Sequence, residues 1–383
     1  MALKVSSRTD IAPFFVMEVM RAADEREAAG GDVLHLEVGQ PSTPAPQGAR
    51  AAAIRAIKND VLGYTSAVGI APLRERLSTH YSEWYGIDVP PDRIVITMGA
   101  SGAFTLAFLA CFEAGDRVVV PSPGYPCYRN TLKALDVEVV DLPVGPDTRF
   151  QPSPELLEEL GPIDGLVVAS PSNPTGTMLL PDELADLVSW CRTRQVRLIS
   201  DEIYHGITFG TAAPTAASHW SEAVVVNSFS KYFSMTGWRL GWLVLPPNLV
   251  SPVERLAQNA TVAAPTVSQH AALGAFDSIE ELEANISRYA ENRAILLDGL
   301  PRAGLDRLAP ADGAFYIYAD VSHLTDDSQA LCREWLLDLG VAATPGIDFD
   351  PARGHRHVRF SFAGNPADMR ETVTRLCGWT QRR

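Results

Sequence analysis

Residues Gly165 to Gly176 read GLVVASPSNPTG, an apolar run that ends abruptly in a polar turn holding two prolines and an asparagine. A run apolar at successive positions, rather than at alternate ones, suits a strand covered on both faces. The pattern recurs downstream, where VRLIS runs into DEIYHG (residues 196–206) and AVVVN runs into SFSK (residues 223–231). Further strand candidates are IVIT (Ile94–Thr97), RVVVP (Arg117–Pro121), VEVVDL (Val137–Leu142) and LGWLVL (Leu240–Leu245). Helical patterns lie between them at Ser101–Glu113, Tyr125–Leu135 and Pro181–Thr193, the last two opening near a proline as first turns tolerate. From about Val61 to Leu245 this alternation predicts an α/β fold: a mostly parallel sheet sandwiched by helices, with ligands at the carboxyl ends of the strands.

The remainder differs. Pro265 to about Leu297 reads as one long, mostly uninterrupted helix. Beyond it come AFYIYADV, a helix around Ser328–Leu339, HVRFSFA, and a closing helix near Pro366–Cys377. These make a smaller α+β unit, which the amphipathic segment Ala12–Ala29 is expected to join. The predicted division is residues 1–45 as an arm and part of the small domain, 46–280 as the large domain, and 281–383 as the small C-terminal domain.

Composition narrows the class. The 383 residues are 46% hydrophobic and carry a net charge of −14, which argues against a general nucleic-acid binder. Any anion site must then be a local cluster of positive charge. The five cysteines show no CxxC spacing, as suits a reducing compartment. His35, His205, His219 and His270 are scattered without metal-ligand spacing. No signal pattern opens the chain and no apolar run reaches transmembrane length, so a cytoplasmic protein is expected, with no membrane partner.

The polar ends of the strands carry the chemistry. Neighbouring strands deliver Asn173, Asp201 with Tyr204, and Ser228 with Lys231 to one edge of the sheet. Singly, each has an ordinary reading as turn, helix cap or snorkelling side chain. Together they are a coincidence those readings do not explain. Lys231 lies in SFSKYFSMTGWRLGW (Ser228–Trp242), close to Arg239 in apolar surroundings. A desolvated lysine beside another cation is held in its amine form, a nucleophile toward an aldehyde. A carboxylate against a pyridine nitrogen keeps the ring protonated and electron-poor. Pyridoxal 5'-phosphate satisfies both partners. Its phosphate would find Ser228, Ser230, Arg239 and the strand-to-helix turn MGASGAF (Met98–Phe104).

SFSKYFSMTGWRLGW resembles the cofactor-lysine signature of class I and II aminotransferases, fold type I pyridoxal-phosphate enzymes of the aspartate aminotransferase superfamily. The resemblance extends through LEVGQPSTPAP (Leu36–Pro46), YTSAVGIAPLRE (Tyr64–Glu75), PSPGYP, SPSNPTG, SDEIY, DGAFYIY, TPGIDF (Thr344–Phe349) and HVRFSF. It implies that Lys231 bonds to the cofactor aldehyde and shuttles the substrate proton. By the same resemblance Asp201 would pair with the ring nitrogen, Tyr204 and Asn173 with the phenolic oxygen, and Tyr125 with the ring face. Ala100 and Ser101 would join Ser228, Ser230 and Arg239 at the phosphate. Tyr64 would reach the phosphate of the neighbouring subunit in a homodimer. Arg359 would clamp the substrate α-carboxylate in a bidentate fork, with Gly39 lending its backbone at the same carboxylate. Cis bonds are implied at Ser122-Pro123 and Asn173-Pro174. His355 and His357, near Arg359, read as a solvated loop.

The implied reaction is ping-pong transfer of an amino group from an L-amino acid to a 2-oxo acid, commonly 2-oxoglutarate in this family. The same cofactor residues serve β-elimination of sulfur amino acids. A regulatory protein with an aminotransferase-like domain would want a DNA-binding module ahead of LEVGQP, and a nicotinamide oxidoreductase would want GxGxxG. The lysine that acid-specific relatives place at the position of Ser101 is missing. Phe14, Phe15 and Val16 suggest instead a pocket for apolar or aromatic side chains.

Overall fold

The computed structural model describes residues 3–382. After a short β1 (Leu34–His35), the large sheet is built from β2 (Ile94–Thr97), β3 (Arg117–Ser122), β4 (Glu138–Pro143), β5 (Gly165–Ala169), β6 (Arg197–Asp201), β7 (Val224–Ser228) and β8 (Gly241–Val244). Their spatial order is β2-β8-β7-β6-β5-β3-β4. Neighbours from β7 through β4 are parallel, while β8 runs against both β7 and β2. The three quoted runs are therefore adjacent strands, as expected.

Both faces of these strands are covered, which is why their sequences do not alternate. Leu166, Val168, Leu198 and Val225 join one apolar cluster, with Leu184, Leu187 and Val188 of the helix Pro181–Arg194. Val167, Ile199, Val224 and Val226 join the opposite cluster, beneath Phe104 and Phe108 of the helix Gly99–Cys111. Each such side chain, fully withdrawn from water, contributes roughly 1.5–3 kcal/mol. Register then aligns the strand ends: Ala169 lies beside Asp201, and Asp201 beside Val226.

The C-terminal elements are β9 (Tyr316–Asp320), β10 (Val341–Ala342), β11 (Thr344–Pro345) and β12 (His357–Ser361). β11, β12 and β9 form an antiparallel sheet that sets Arg359 between Thr344 and Tyr318. β1 pairs in parallel with β10, and the helix Phe15–Ala28 packs on β10 and β11. The helix Phe15–Ala28 and β1 thus lie among the C-terminal elements, while Arg8 pairs with Asp136 and the Ala12 carbonyl accepts from Asn130.

The long helix expected from Pro265 is a correction. Two helices stand there, Thr266–Ala275 and Ile279–Arg302. At the break Phe276 is buried among Phe229, Phe233 and His80, and the Ser278 hydroxyl accepts the Gly48 N–H at 3.1 Å. Burying that ring and pairing that amide outweigh one further helical turn. Ser122-Pro123 and Asn173-Pro174 are cis, and so is Ser170-Pro171, which was not anticipated. All five cysteines are free. No helix among the described residues is long and apolar enough to cross a membrane.

Candidate active site

A cavity of about 360 Å³ opens at the carboxyl ends of β5, β6 and β7. Its wall includes Gly39, Ala100, Ser101, Tyr125, Asn173, Asp201, Tyr204, Ser228, Ser230, Lys231, Arg239 and Arg359. The structure therefore brings together every site residue read from the sequence except Tyr64 and Phe15. That tyrosine is 88% exposed and lies outside the cavity wall.

Lys231 follows β7, and its Nζ donates to the Gly39 carbonyl at 2.6 Å. Burial, helped by the nearby Arg359 and Arg239 guanidinium groups, pushes its pKa down to about 8, with Asp201 opposing. The amine form is thus accessible near neutral pH. Asp201 ends β6 and is buried, with Oδ1 accepting the Ile203 N–H at 3.1 Å and Oδ2 accepting the Tyr128 hydroxyl. Burial pushes its pKa up to about 6, against the pull of Tyr128, Ile203 and Lys231. A cationic partner would restore the full charge of that carboxylate.

Arg359 is 3% exposed, with its guanidinium 4.5 Å from the Tyr316 ring and 4.7 Å from the Phe349 ring. Nη1 donates to Asn173 Oδ1 at 2.9 Å, and Nη2 donates to Thr344 Oγ1 at 3.1 Å and to the Glu37 carbonyl. Nε is buried with no protein partner. A buried donor of this kind is costly unless a ligand meets it. Because Asn173 spends its oxygen on Arg359, its amide N–H groups remain free to donate. The Tyr204 hydroxyl lies 2.7 Å from that of Tyr316.

The anion end has its own geometry. Gly99 opens the helix Gly99–Cys111 at φ +68°, and a Cβ there would come within 2.6 Å of Arg239 Nη2. Glycine is what lets the guanidinium lie over the helix N-terminus, where backbone N–H groups already favour an anion. Ser228 Oγ lies 2.8 Å from Ser230 Oγ and accepts the Ser230 N–H at 3.0 Å. Gly39 is equally constrained, since a Cβ would lie 1.9 Å from the Tyr316 hydroxyl.

Opposite this polar floor the wall is apolar: Phe14, Val16, Met17 and Met20, from the start of the helix Phe15–Ala28. Phe14 stacks on Tyr125 with ring centroids 6.1 Å apart. Phe15, expected beside them, is not part of the wall. Its N–H and that of Val16 bond to the Asp348 carboxylate at 3.1 and 3.3 Å, which anchors the first helical turn. His355 and His357 also lie outside the cavity, and His357 stacks on Tyr318 at 4.8 Å.

Sequence reasoning missed Tyr128, Tyr316, Glu37, Thr344 and Asp348. Tyr128 could have been found, because it stands three residues after Tyr125 and so on the same helical face. Taken together, a buried amine, a buried carboxylate, an orphan guanidinium donor and a cationic helix N-terminus fit a phosphorylated pyridine aldehyde and a carboxylate substrate.

Fold and site define a fold type I pyridoxal-phosphate-dependent enzyme, and comparison with known proteins specifies it. Residues 31–376 match the family described as aminotransferase class I and II. The valine–pyruvate aminotransferase of Mycobacterium tuberculosis is 53% identical over 382 residues, covering 98% of each chain. The (5-formylfuran-3-yl)methyl phosphate transaminase of Methanocaldococcus jannaschii is 31% identical over 368 residues, covering 95% of each. The crystal structure of an aminotransferase from Mycobacterium tuberculosis superposes with a TM-score of 0.98 at 53% identity, covering 100% of both chains. The chain belongs to the class I and II aminotransferases and is a pyridoxal-phosphate-dependent aminotransferase.

Proposed function

We propose that the chain moves the amino group of a small apolar L-amino acid, valine being the fitting case, to pyruvate. In this reading Ala100, Ser101, Ser228, Ser230 and Arg239 hold the cofactor phosphate, and Asp201 holds the ring nitrogen. Tyr204 and Asn173 hold the phenolic oxygen, and Tyr125 covers the ring face. When bound, the cofactor supplies an electron-poor ring that takes up the electron pair released as the Cα–H bond breaks.

The protein's part is positioning and proton transfer. Arg359 clamps the α-carboxylate through N–H groups that include its unpartnered Nε. The amine of Lys231 takes the Cα proton and would deliver it to the carbon that was the cofactor's aldehyde carbon, so that the nitrogen stays behind when the 2-oxo acid leaves. Asp201 keeps the ring nitrogen protonated. Donor and acceptor use the same clamp in turn, so ping-pong kinetics are expected.

The observation that carries the substrate choice is the apolar wall of Phe14, Val16, Met17 and Met20. The cations lining the cavity are Lys231, Arg239 and Arg359, and each already has a task. A second carboxylate, such as that of 2-oxoglutarate, would meet methyl and thioether groups and lose its hydration. Pyruvate carries no such group. The name of the relative that is 53% identical supports the same choice over the acceptor expected from the sequence.

The reading includes a homodimer in which Tyr64 of each subunit serves its neighbour's phosphate, in a reducing, cytoplasmic setting that suits the five free thiols. With the domain division at 45/46 and 280/281, Lys231 belongs to the large domain and Arg359 to the small one. Substrate then bridges the two. The test is a panel of amino donors against pyruvate and 2-oxoglutarate, with spectra of each half-reaction. Valine with pyruvate is expected to be among the fastest pairs, and aspartate with 2-oxoglutarate outpacing it would refute the proposal. Release of pyruvate and ammonia from a sulfur amino acid without any acceptor would point to elimination instead.

A further inference from the structure

Behind the clamp lies a line of charge that the chemistry above does not use. Glu37 is 1% exposed, a burial that carboxylates seldom reach without a partner. Its Oε1 meets His35 Nδ1 at 2.9 Å, and its Oε2 is buried with no partner. The other ring nitrogen, His35 Nε2, lies 3.3 Å from Glu27 Oε1 at the far end of the helix Phe15–Ala28. One imidazole therefore joins that helix to the segment that follows β1.

That segment touches both central cations. The Glu37 carbonyl accepts from Arg359 Nη2 and from Thr344 Oγ1, the latter at 2.8 Å. Two residues later the Gly39 carbonyl accepts from Lys231 Nζ at 2.6 Å. We infer that His35 and Glu37 are a positioning pair, whose contact holds residues 37–39 so that their carbonyls aim Arg359 at the substrate carboxylate. The inference rests on the reading of Arg359 as the clamp.

The chemistry favours a charged pair. Hydrogen bonding to Glu37 first, and to Glu27 as well, pushes the His35 pKa up to about 9 against the effect of burial. Charged groups nearby include Arg375, on the helix Pro366–Thr380 beside β1, with its partners Asp32 and Glu371, and Arg26, which pairs with the same Asp32 at 3.9 Å. A folded-state pKa above the ordinary value means the contribution is complete below the unfolded pKa of about 6.5. It is lost as pH rises through about 9.

The experiment uses holoenzyme of wild type, His35→Gln, Glu37→Gln and Arg359→Lys. Binding of 3-methylbutanoate, an unreactive carboxylate, is followed by calorimetry from pH 7 to 10, with kcat and KM for valine alongside. At neutral pH both pair variants are expected to bind about tenfold more weakly, as losing a charged hydrogen bond implies, with KM changing more than kcat. The alkaline loss of affinity centred near pH 9 in the wild type should be absent in His35→Gln. Wild-type affinity in both variants overturns the inference, as does weakening in His35→Gln that keeps the alkaline limb. If Glu37→Gln does not fold, His35→Gln, at a half-exposed position, decides alone. Loss of binding in Arg359→Lys but in neither pair variant sinks only this inference. Full binding in Arg359→Lys sinks the clamp itself.

Discussion

Replacing Tyr128 with phenylalanine isolates one bond. The hydroxyl donates to Asp201 Oδ2, and among the described residues the other donor to that carboxylate is the Ile203 N–H at 3.1 Å. Burial alone pushes Asp201 toward its acid form, and the two donors with Lys231 hold its pKa down to about 6. A hydrogen bond to a charged acceptor is worth roughly 1.5–3 kcal/mol, so its loss disfavours the carboxylate by about ten- to hundredfold. The ring stays, and with it the edge-to-face contact with Phe104 at 4.9 Å, so the fold should survive. A bound ring cation lowers the Asp201 pKa in wild type and variant alike, so the difference between them persists. The assay is kcat/KM for valine and pyruvate from pH 5 to 9. The acid limb should lie about one to two pH units higher in Tyr128→Phe than in the wild type, with the loss of activity greatest at the acid end of the range and largely regained by pH 9. An unchanged limb, or a uniform loss across the range, would refute the view that Tyr128 acts through the charge of Asp201.

Further outcomes follow from the other walls of the cavity. Lys231→Ala should give a folded protein that takes up cofactor without completing turnover, and near-normal rates would place the base elsewhere. Asp348→Ala frees the Phe15 and Val16 N–H groups, at a cost of about 1 kcal/mol for a lost cap. It should lower Tm by about 1 °C and raise KM for valine more than it lowers kcat, while an unchanged KM would show that the apolar wall does not need this anchor. Ser101→Lys puts a cation where none stands, so activity with aspartate relative to valine should rise, and a ratio that stays constant argues against the cavity's charge deficit as the selector.

What could be read from the chain depended on contrast. Asp201 and Lys231 stood out because a charge ended or followed a run of residues fit only for the interior. Asn173 stood out because SPSNPTG broke the run so sharply. That contrast does not pick out Tyr316, nor Tyr128 without its spacing from Tyr125, since a tyrosine among apolar neighbours looks like any core aromatic until its hydroxyl finds a partner. Glu37 was one acid among many. The two-residue strands β1, β10 and β11 are too short to show a period at all. Phe276 fitted the helical spacing and so concealed the break that its own burial produces. The dimer contact proposed for Tyr64 would depend on a second copy of the chain.

The pairing of β1 with β10, and of the Phe15 amide with Asp348, has a consequence for synthesis. Leu34 pairs with Val341, and Phe15 finds its acceptor 333 positions later. During translation Phe15 and β1 emerge early and wait for these partners until about nine-tenths of the chain has left the ribosome. Contacts so distant in sequence are slow to form, so the wall opposite Lys231 should be among the last parts of the molecule to acquire resistance to protease. A nascent chain stalled before Val341 holds every strand of its central sheet and still lacks Asp348 and Arg359 of the cavity wall.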